Sequence, residues 1–362
     1  MKRIVVFFLM IVLVASLFHI CCERDFSTFP LKKNPRELSW SIDTLAYPGS
    51  SQTWMYDIWG NSANDVYVVG HNSLNRGQMW HFNGKSWTDV KLSTTQGGNI
   101  SGPIDLSSIY GFGPDDIWAV GEHIRTNPDP PPNFLDSSLL IHFDGSKWHE
   151  IETPEGRMLT VIWGSSPNNI WTAGINGTLF HYDGSTVKKD TIPLDIPKDA
   201  DPFYTVLSLT GNETEAYMLL ADFNSNPNRY FFLEYLGNKW VVQDSTFFFN
   251  TTSLWMSPSG TLYATGSSLY RRQGNTWDTF LDGYTTLWSY GIHGTDDNNL
   301  LVVGRSNTDD YPGTVYHYNG SNWFIYKNLE NLENEYYGVW TDGDEVFITG
   351  ITGSQTIVLH GK

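Results

Sequence analysis

The sequence predicts an all-β protein: a seven-bladed β-propeller of four-stranded antiparallel blades, with the last blade completed by an N-terminal strand. Three observations predict it. A self-similar segment recurs every 38 to 53 residues, a second signature follows each copy, and the chain ends one strand short of its last repeat. Composition agrees, since aromatics make up 15% of the 362 residues and 33 Gly accompany only two Cys. That balance suits many short strands joined by tight turns.

The first signature is clearest in three copies. Residues 58–70 read IWGNSANDVYVVG, 109–121 read IYGFGPDDIWAVG and 162–174 read IWGSSPNNIWTAG. Each has two glycines ten apart: Gly60 and Gly70, Gly111 and Gly121, Gly164 and Gly174. Gly294 and Gly304 repeat the spacing, and weaker copies place Gly211 with Ala221, Trp255 with Gly266, and Trp340 with Gly350, which makes seven. The second signature joins a hydrophobic run to a Gly turn three residues before a Trp: HFNGKSW (81–87), HFDGSKW (142–148), EYLGNKW (234–240), RRQGNTW (271–277) and HYNGSNW (317–323). In the third copy, HYDGSTV, Val187 stands in place of the Trp.

Read in order, these pieces make a four-stranded meander. An apolar strand reaches the first Gly, and a turn of Asn, Asp, Ser and Pro leads to a second strand such as DVYVVG. A third strand carries His or an aromatic, Asn-Gly or Asp-Gly makes a two-residue hairpin turn, and the Trp opens a fourth strand. One such sheet cannot cover both its faces, so blades pack between neighbours around an axis. The last copy stops at TIVLHGK (356–362) with no fourth strand, whereas ELSWSIDTL (37–45) precedes the first copy and offers Trp40. That strand is expected to close the ring.

The start of the chain reads as a targeting segment: Lys2 and Arg3, then an apolar run from Ile4 to about Ile20 that ends at Cys21 and Cys22. The expected organisation is a signal peptide over 1–22, a linker over 23–36 and one propeller domain over 37–362. No cysteine follows Cys22, so the mature fold uses no disulfide. Removing Lys2 and Arg3 with the leader takes the net charge from −17 to −19. A field of that sign repels phosphate and argues against nucleic acid, whereas a cationic ligand, calcium or a neutral glycan is compatible with it.

The repeats resemble those of exported bacterial propeller proteins, which run roughly IWGxSxNDVWAVG and then HYDGxxW, over about residues 37–362. They are more distantly similar to kelch blades, without the kelch double glycine. The Cys after an apolar run resembles the lipobox of bacterial lipoproteins, although Phe18-His19-Ile20 before Cys21 lacks the usual small residue. The resemblance implies acylation at Cys21 or Cys22, with plain secretion or an uncleaved anchor as alternatives. The protein is therefore expected to be exported, either lipid-anchored at the cell envelope or surface or secreted, and to meet a membrane only through that N-terminal segment. Sialidase-type SxDxGxxW boxes do not occur, so that family's catalytic residues do not carry over.

Most chemistry-bearing residues belong to the repeat. His81, His142, His181, His317 and His360 share one repeat position, which argues for packing or a hydrogen bond to the adjacent strand rather than metal ligation. Asp65, Asp115, Asp116, Asn168, Asn169 and Asp297 fall between the first two strands and read as turn chemistry. The Trp residues at 87, 148, 240, 277 and 323 read as blade packing. No catalytic residue, metal site or required cofactor is assigned; calcium is the one cofactor the charge admits.

Ligand contacts are expected where blades differ. Blade two inserts RTNPDPPPNFLDS (125–137) and blade six inserts SNTDDYPG (306–313) between their second and third strands. The linkers 92–105 and 188–202 are expected on the same face. From these loops Asp129, Phe134, Asp309, Asp310 and Tyr311 are the candidate ligand contacts, carboxylates to accept hydrogen bonds and aromatics to stack. The reading that follows is a noncatalytic binding or assembly scaffold for a protein, peptide or glycan. Its rivals are a carbohydrate-active hydrolase or lyase with carboxylates at the central funnel, and a calcium-dependent structural or adhesive protein.

Overall fold

The computed structural model describes residues 33–74, 78–126, 134–196, 204–245, 251–282, 287–307, 312–330 and 335–362. Within them, 28 strands form seven four-stranded antiparallel sheets. Six sheets are meanders in chain order, whose innermost strands are Thr53–Ser62, Ile104–Gly113, Leu159–Ser166, Tyr204–Gly211, Thr251–Met256 and Trp288–Asp296. The seventh runs Glu335–Thr341, Val346–Thr352 and Gln355–Gly361 from the axis outward, and Trp40–Leu45 pairs with the last of these. Trp40 stands opposite Gly361 and Leu45 opposite Thr356, as the missing fourth strand required. Each innermost strand touches the next, and the seventh touches the first, so the ring is closed.

The two glycines of the signature have separate physical causes. A β-carbon on Gly60 would lie 2.7 Å from the Trp340 indole of the preceding blade, and one on Gly111 would lie 2.5 Å from the Trp59 indole. Gly211 meets Trp163 in the same way, at 2.8 Å. An aromatic of one innermost strand thus lies flat on the glycine of the next. The second glycine faces its own blade: a β-carbon on Gly70, Gly121 or Gly174 would sit 1.8 to 1.9 Å from the carbonyl oxygen of Trp54, Asp105 or Met158. That carbonyl lies one residue before a β-bulge, which all seven innermost strands carry at the corresponding place.

The repeat histidines act within their blades. The Nε2 atoms of His81, His142, His181 and His317 lie 2.6 to 2.8 Å from Asp65, Asp116, Asn169 and Asn299, each the first residue of the second strand. His360 makes the same contact with Glu345 at 2.6 Å. Four of the rings stack on a second-strand aromatic, for example His142 on Trp118 at 4.0 Å. Asp65, Asp116 and Asn169 therefore open a strand, while their neighbours Asn64, Asp115 and Asn168 occupy the turn and crowd Gly84, Gly145 and Gly184. Asp297 is different: it accepts Thr261 Oγ1 (2.8 Å) and the Tyr263 hydroxyl (3.1 Å) of the preceding blade. Where blades four and five lack the His, Glu234 fills the position in one and Arg271 in the other, and Arg272 reaches Glu234 across the seam at 3.3 Å.

The hairpin between third and fourth strands is centred one residue later than the sequence suggests. Phe82 pairs with Trp87 and Asn83 N–H bonds Ser86 O, so Gly84 and Lys85 are the central pair. Gly84 has φ +85°, at the first central position where a type II′ turn needs glycine. Asn83 Oδ1 meanwhile accepts the N–H groups of Lys85 and Ser86. The Trp that follows packs as expected: Trp87 meets Phe82 at 5.3 Å and Phe347 of the last blade at 6.4 Å.

An antiparallel meander sends these hairpins and the first-to-second-strand turns to one face, and the second-to-third-strand loops and interblade linkers to the other. The N-terminal strand enters at the tight-turn face. Before it, a 3₁₀ turn at Pro35–Glu37 lies against blade six, where the Arg36 guanidinium donates to Asn322 Oδ1 (2.8 Å), Asn322 O (2.6 Å) and His317 Nδ1 (3.2 Å). Trp40 meets Tyr326 edge-on at 5.4 Å, and Ser39 and Lys362 exchange two backbone bonds of 3.0 Å.

Gly111→Ala is expected to cost about 1–3 kcal/mol through overpacking against Trp59. Gly121→Ala should cost more, because its obstacle is backbone. Gly113→Ala, with nothing within 4 Å of the added carbon, should stay within about 0.5 kcal/mol of wild type. Urea unfolding midpoints rank the three. Trp40→Ala should cost about 2–4 kcal/mol in the same assay by loosening ring closure.

Candidate binding face around the central channel

The seven innermost strands enclose an axial channel of about 550 Å³. The bulges decide which side chains reach it. Each bulge leaves one residue unpaired in the ladder, and the seven are Tyr56, Ser107, Thr160, Leu207, Thr252, Tyr290 and Tyr337. All seven line the channel, because the extra residue re-aims its side chain away from the sheet. Thr160 and Thr252 spend their hydroxyls on the backbone of the next blade, Val206 O at 2.6 Å and Ser289 O at 2.7 Å. The three tyrosines instead gather on adjacent blades: Tyr290 stacks on Tyr337 at 5.0 Å, and Tyr337 meets Tyr56 edge-on at 5.5 Å.

One residue pair further toward the long-looped face, the rim differs between blades among the described residues. Blade one has Trp54 opposite His71, blade two Asp105 opposite Glu122, blade four Thr205 opposite Ala221, and blade six Trp288 opposite Arg305. His71 is 5.6 Å from both Trp54 and Tyr56, which extends the tyrosine cluster outward into an aromatic arc. Glu335 of blade seven braces it, accepting from the Tyr337 hydroxyl and Arg305 Nη1 at 2.8 Å each.

Beside the arc lies an acidic sector on blade two. Burial pushes the Asp105 carboxyl up to about 6. Glu122 is pushed up to about 7, by burial first and then by the charges of Asp136 and Asp105. Arg157, the neighbouring cation, is engaged by Asp136 at 2.7 Å through both Nε and Nη2. Asp105 Oδ1 is shut off from solvent without a hydrogen-bond partner. Tyr56, half-buried next to Asp105, is pushed up to about 12. The phenol is therefore a neutral donor and the sector is short of positive charge.

Deeper in the channel, Asp57 serves the scaffold. Its carboxylate accepts the Ile58 N–H (2.9 Å) and, across the seam, Ser108 Oγ (2.7 Å) and the Ile109 N–H (2.9 Å). Those bonds hold the carboxyl down against a larger upward push from burial, and they stitch blade one to blade two. Among the described residues, no group of three or more His, Cys, Asp or Glu is disposed to hold a metal ion.

No protein family and no curated protein sequence matches the chain. Solved structures do. YCF48 bound to a D1 peptide aligns over 91% of this chain and 98% of its own, with TM-score 0.62 and 14% identity. The WD40 propeller domain of Doa1 aligns over 89% and 97%, with TM-score 0.53 and 9% identity. The GH74 enzyme of Niastella koreensis aligns over 85% of this chain and 53% of its own, with TM-score 0.57 and 11% identity. These likenesses show the propeller fold.

Of the ligand-contact candidates drawn from sequence, Phe134 alone lies among the described residues. Asp129, Asp309, Asp310 and Tyr311 lie outside the described residues, as do Cys21 and Cys22. Phe134 is not in a loop: it opens the third strand of blade two, its backbone paired with Thr126, so the 125–137 insertion is partly a lengthened hairpin. The linker 92–105 is compact as well, burying Leu92 and Ile100 in the core between blades one and two. Sequence reasoning missed Tyr56, Tyr290, Tyr337, Asp105 and Glu122. The available signal was variation between repeat copies three residues before each Trp59-like aromatic.

Because the Asp105 and Glu122 carboxyls hold their protons to higher pH folded than unfolded, they favour the folded state at low pH and lose that contribution as pH rises through about 6 and 7. Glu122→Gln is therefore expected to be relatively more stable than wild type at pH 8 than at pH 5. Urea titrations at the two pH values measure the difference, and an unchanged gap would show Glu122 titrating normally.

Proposed function

We propose that this protein is a noncatalytic binding scaffold, exported and held at the cell envelope through a lipid on Cys21 or Cys22, whose channel rim takes a peptide segment carrying Lys or Arg. The observation that carries the reading is the juxtaposition of the Tyr56–Tyr337–Tyr290 arc with Asp105 and Glu122. Aromatic faces bind the stems and charged heads of basic side chains, and two carboxyls beside an engaged arginine complement an incoming cation. A peptide-bound propeller among the structural likenesses supports the same direction by analogy of fold alone.

Fluorescence polarisation with Lys- and Arg-containing peptides against acidic and neutral controls tests the reading, next to a glycan array. Basic peptides should bind, and more tightly at pH 8 than at pH 5.5, because the two carboxyls ionise over that range. Asp105→Asn with Glu122→Gln should weaken binding about tenfold or more and flatten the pH step. Preference for acidic peptides, or an unaffected double variant, would remove the rim from consideration. Mass spectrometry of the mature N-terminus decides the anchor: an unmodified cysteine there rejects it.

The raised carboxyls also favour a second reading, a glycoside hydrolase. Asp105 and Glu122 are cross-strand neighbours on one sheet, so they present side by side rather than from either side of a scissile bond, and binding fits them better. Release of reducing ends from β-glucans near pH 6, lost in Glu122→Gln, would reverse that preference.

A further inference from the structure

We propose that Arg36 and His317 form a proton-operated latch on ring closure, which frees the N-terminal strand Trp40–Leu45 from the last blade when His317 Nδ1 takes up a proton. The geometry around this one histidine differs from that of its repeat equivalents. Nε2 lies 2.8 Å from Asn299 Oδ1, as in the other blades, and since an amide oxygen only accepts, the ring proton sits on Nε2. Nδ1 is then an acceptor, and Arg36 Nε donates to it at 3.2 Å. A proton on Nδ1 removes that acceptor and sets imidazolium against guanidinium.

The groups packed around the ring offer no compensating charge. Leu301 and Phe324 flank His317 in the sheet, and Asn299 and Asn322 are neutral. From the outer edge come Arg36 and the Tyr326 phenol, which burial keeps protonated. His317 itself is 1% exposed. Burial and then the Arg36 charge hold its imidazole down at about 4.

The latch bears on closure because Arg36 is the anchor of the segment leading into the closing strand. Its guanidinium is spread over Asn322 Oδ1, Asn322 O and His317 Nδ1, above the Phe324 ring at 5.4 Å. Beyond it, Tyr326 donates its hydroxyl to Pro35 O and packs on Trp40. Loss of the Arg36 contact loosens the turn that fixes Trp40 opposite Gly361. A histidine freed by opening returns toward its ordinary pKa, so the closed form is fully favoured above about pH 6.5 and loses ground as pH falls toward 4.

Hydrogen exchange of the full chain at pH 7 and pH 5, corrected for intrinsic rates, reads this directly. In the wild type the Trp40–Leu45 amides should open severalfold more at pH 5, while the Asn169–Gly174 strand of blade three stays unchanged. His317→Gln keeps an uncharged acceptor and donor, so its closing strand should show no such step. Arg36→Gln should raise opening at pH 7 and shrink the step. A wild-type closing strand indifferent to pH, a step that survives in His317→Gln, or equal acceleration in blade three would each overturn the latch.

Discussion

Each sheet in this ring buries both of its faces against neighbours, so no blade has a stable surface of its own until the circle is complete. The packing is specific at the seams near the axis. An indole or other aromatic from one innermost strand rests on a glycine of the next, as Trp340 does on Gly60 and Trp59 on Gly111. Asp57 and the Thr160 and Thr252 hydroxyls add hydrogen bonds across the same boundaries. Closure then depends on one short strand, Trp40–Leu45, supplied from the other end of the chain. Everything presented at the rim is held in place by that circular constraint.

What could be read from the sequence followed from repetition. The glycines ten apart were visible because two different obstacles, an aromatic ring and a backbone carbonyl, exclude a β-carbon at the same two places in each of the first three blades. The shared histidine position was legible as structural for a similar reason, since His81, His142, His181 and His317 each stand three residues before the glycine of the following turn. Trp40 was legible from a deficit, a last repeat lacking its fourth strand.

The rim was not legible, and the reason is register. Asp105 and Glu122 are 17 positions apart, and nothing in their local sequence says that they stand opposite one another until the bulge between Leu106 and Ser108 fixes the pairing. Tyr56, Tyr290 and Tyr337 sit in differing contexts on three distant segments, and only the bulges turn them to one axis. Insertion length, by contrast, is visible in any sequence. It marks out 125–137 and 306–313, of which the part next to Phe134 is strand.

The exchange of backbone bonds between Ser39 and Lys362 places both ends of the ring side by side beneath the hairpins, away from the rim. A bead, a surface or a fused domain joined at either end therefore leaves the aromatic and acidic sectors unobstructed. A partner approaching along the axis from the long-looped side meets those sectors first.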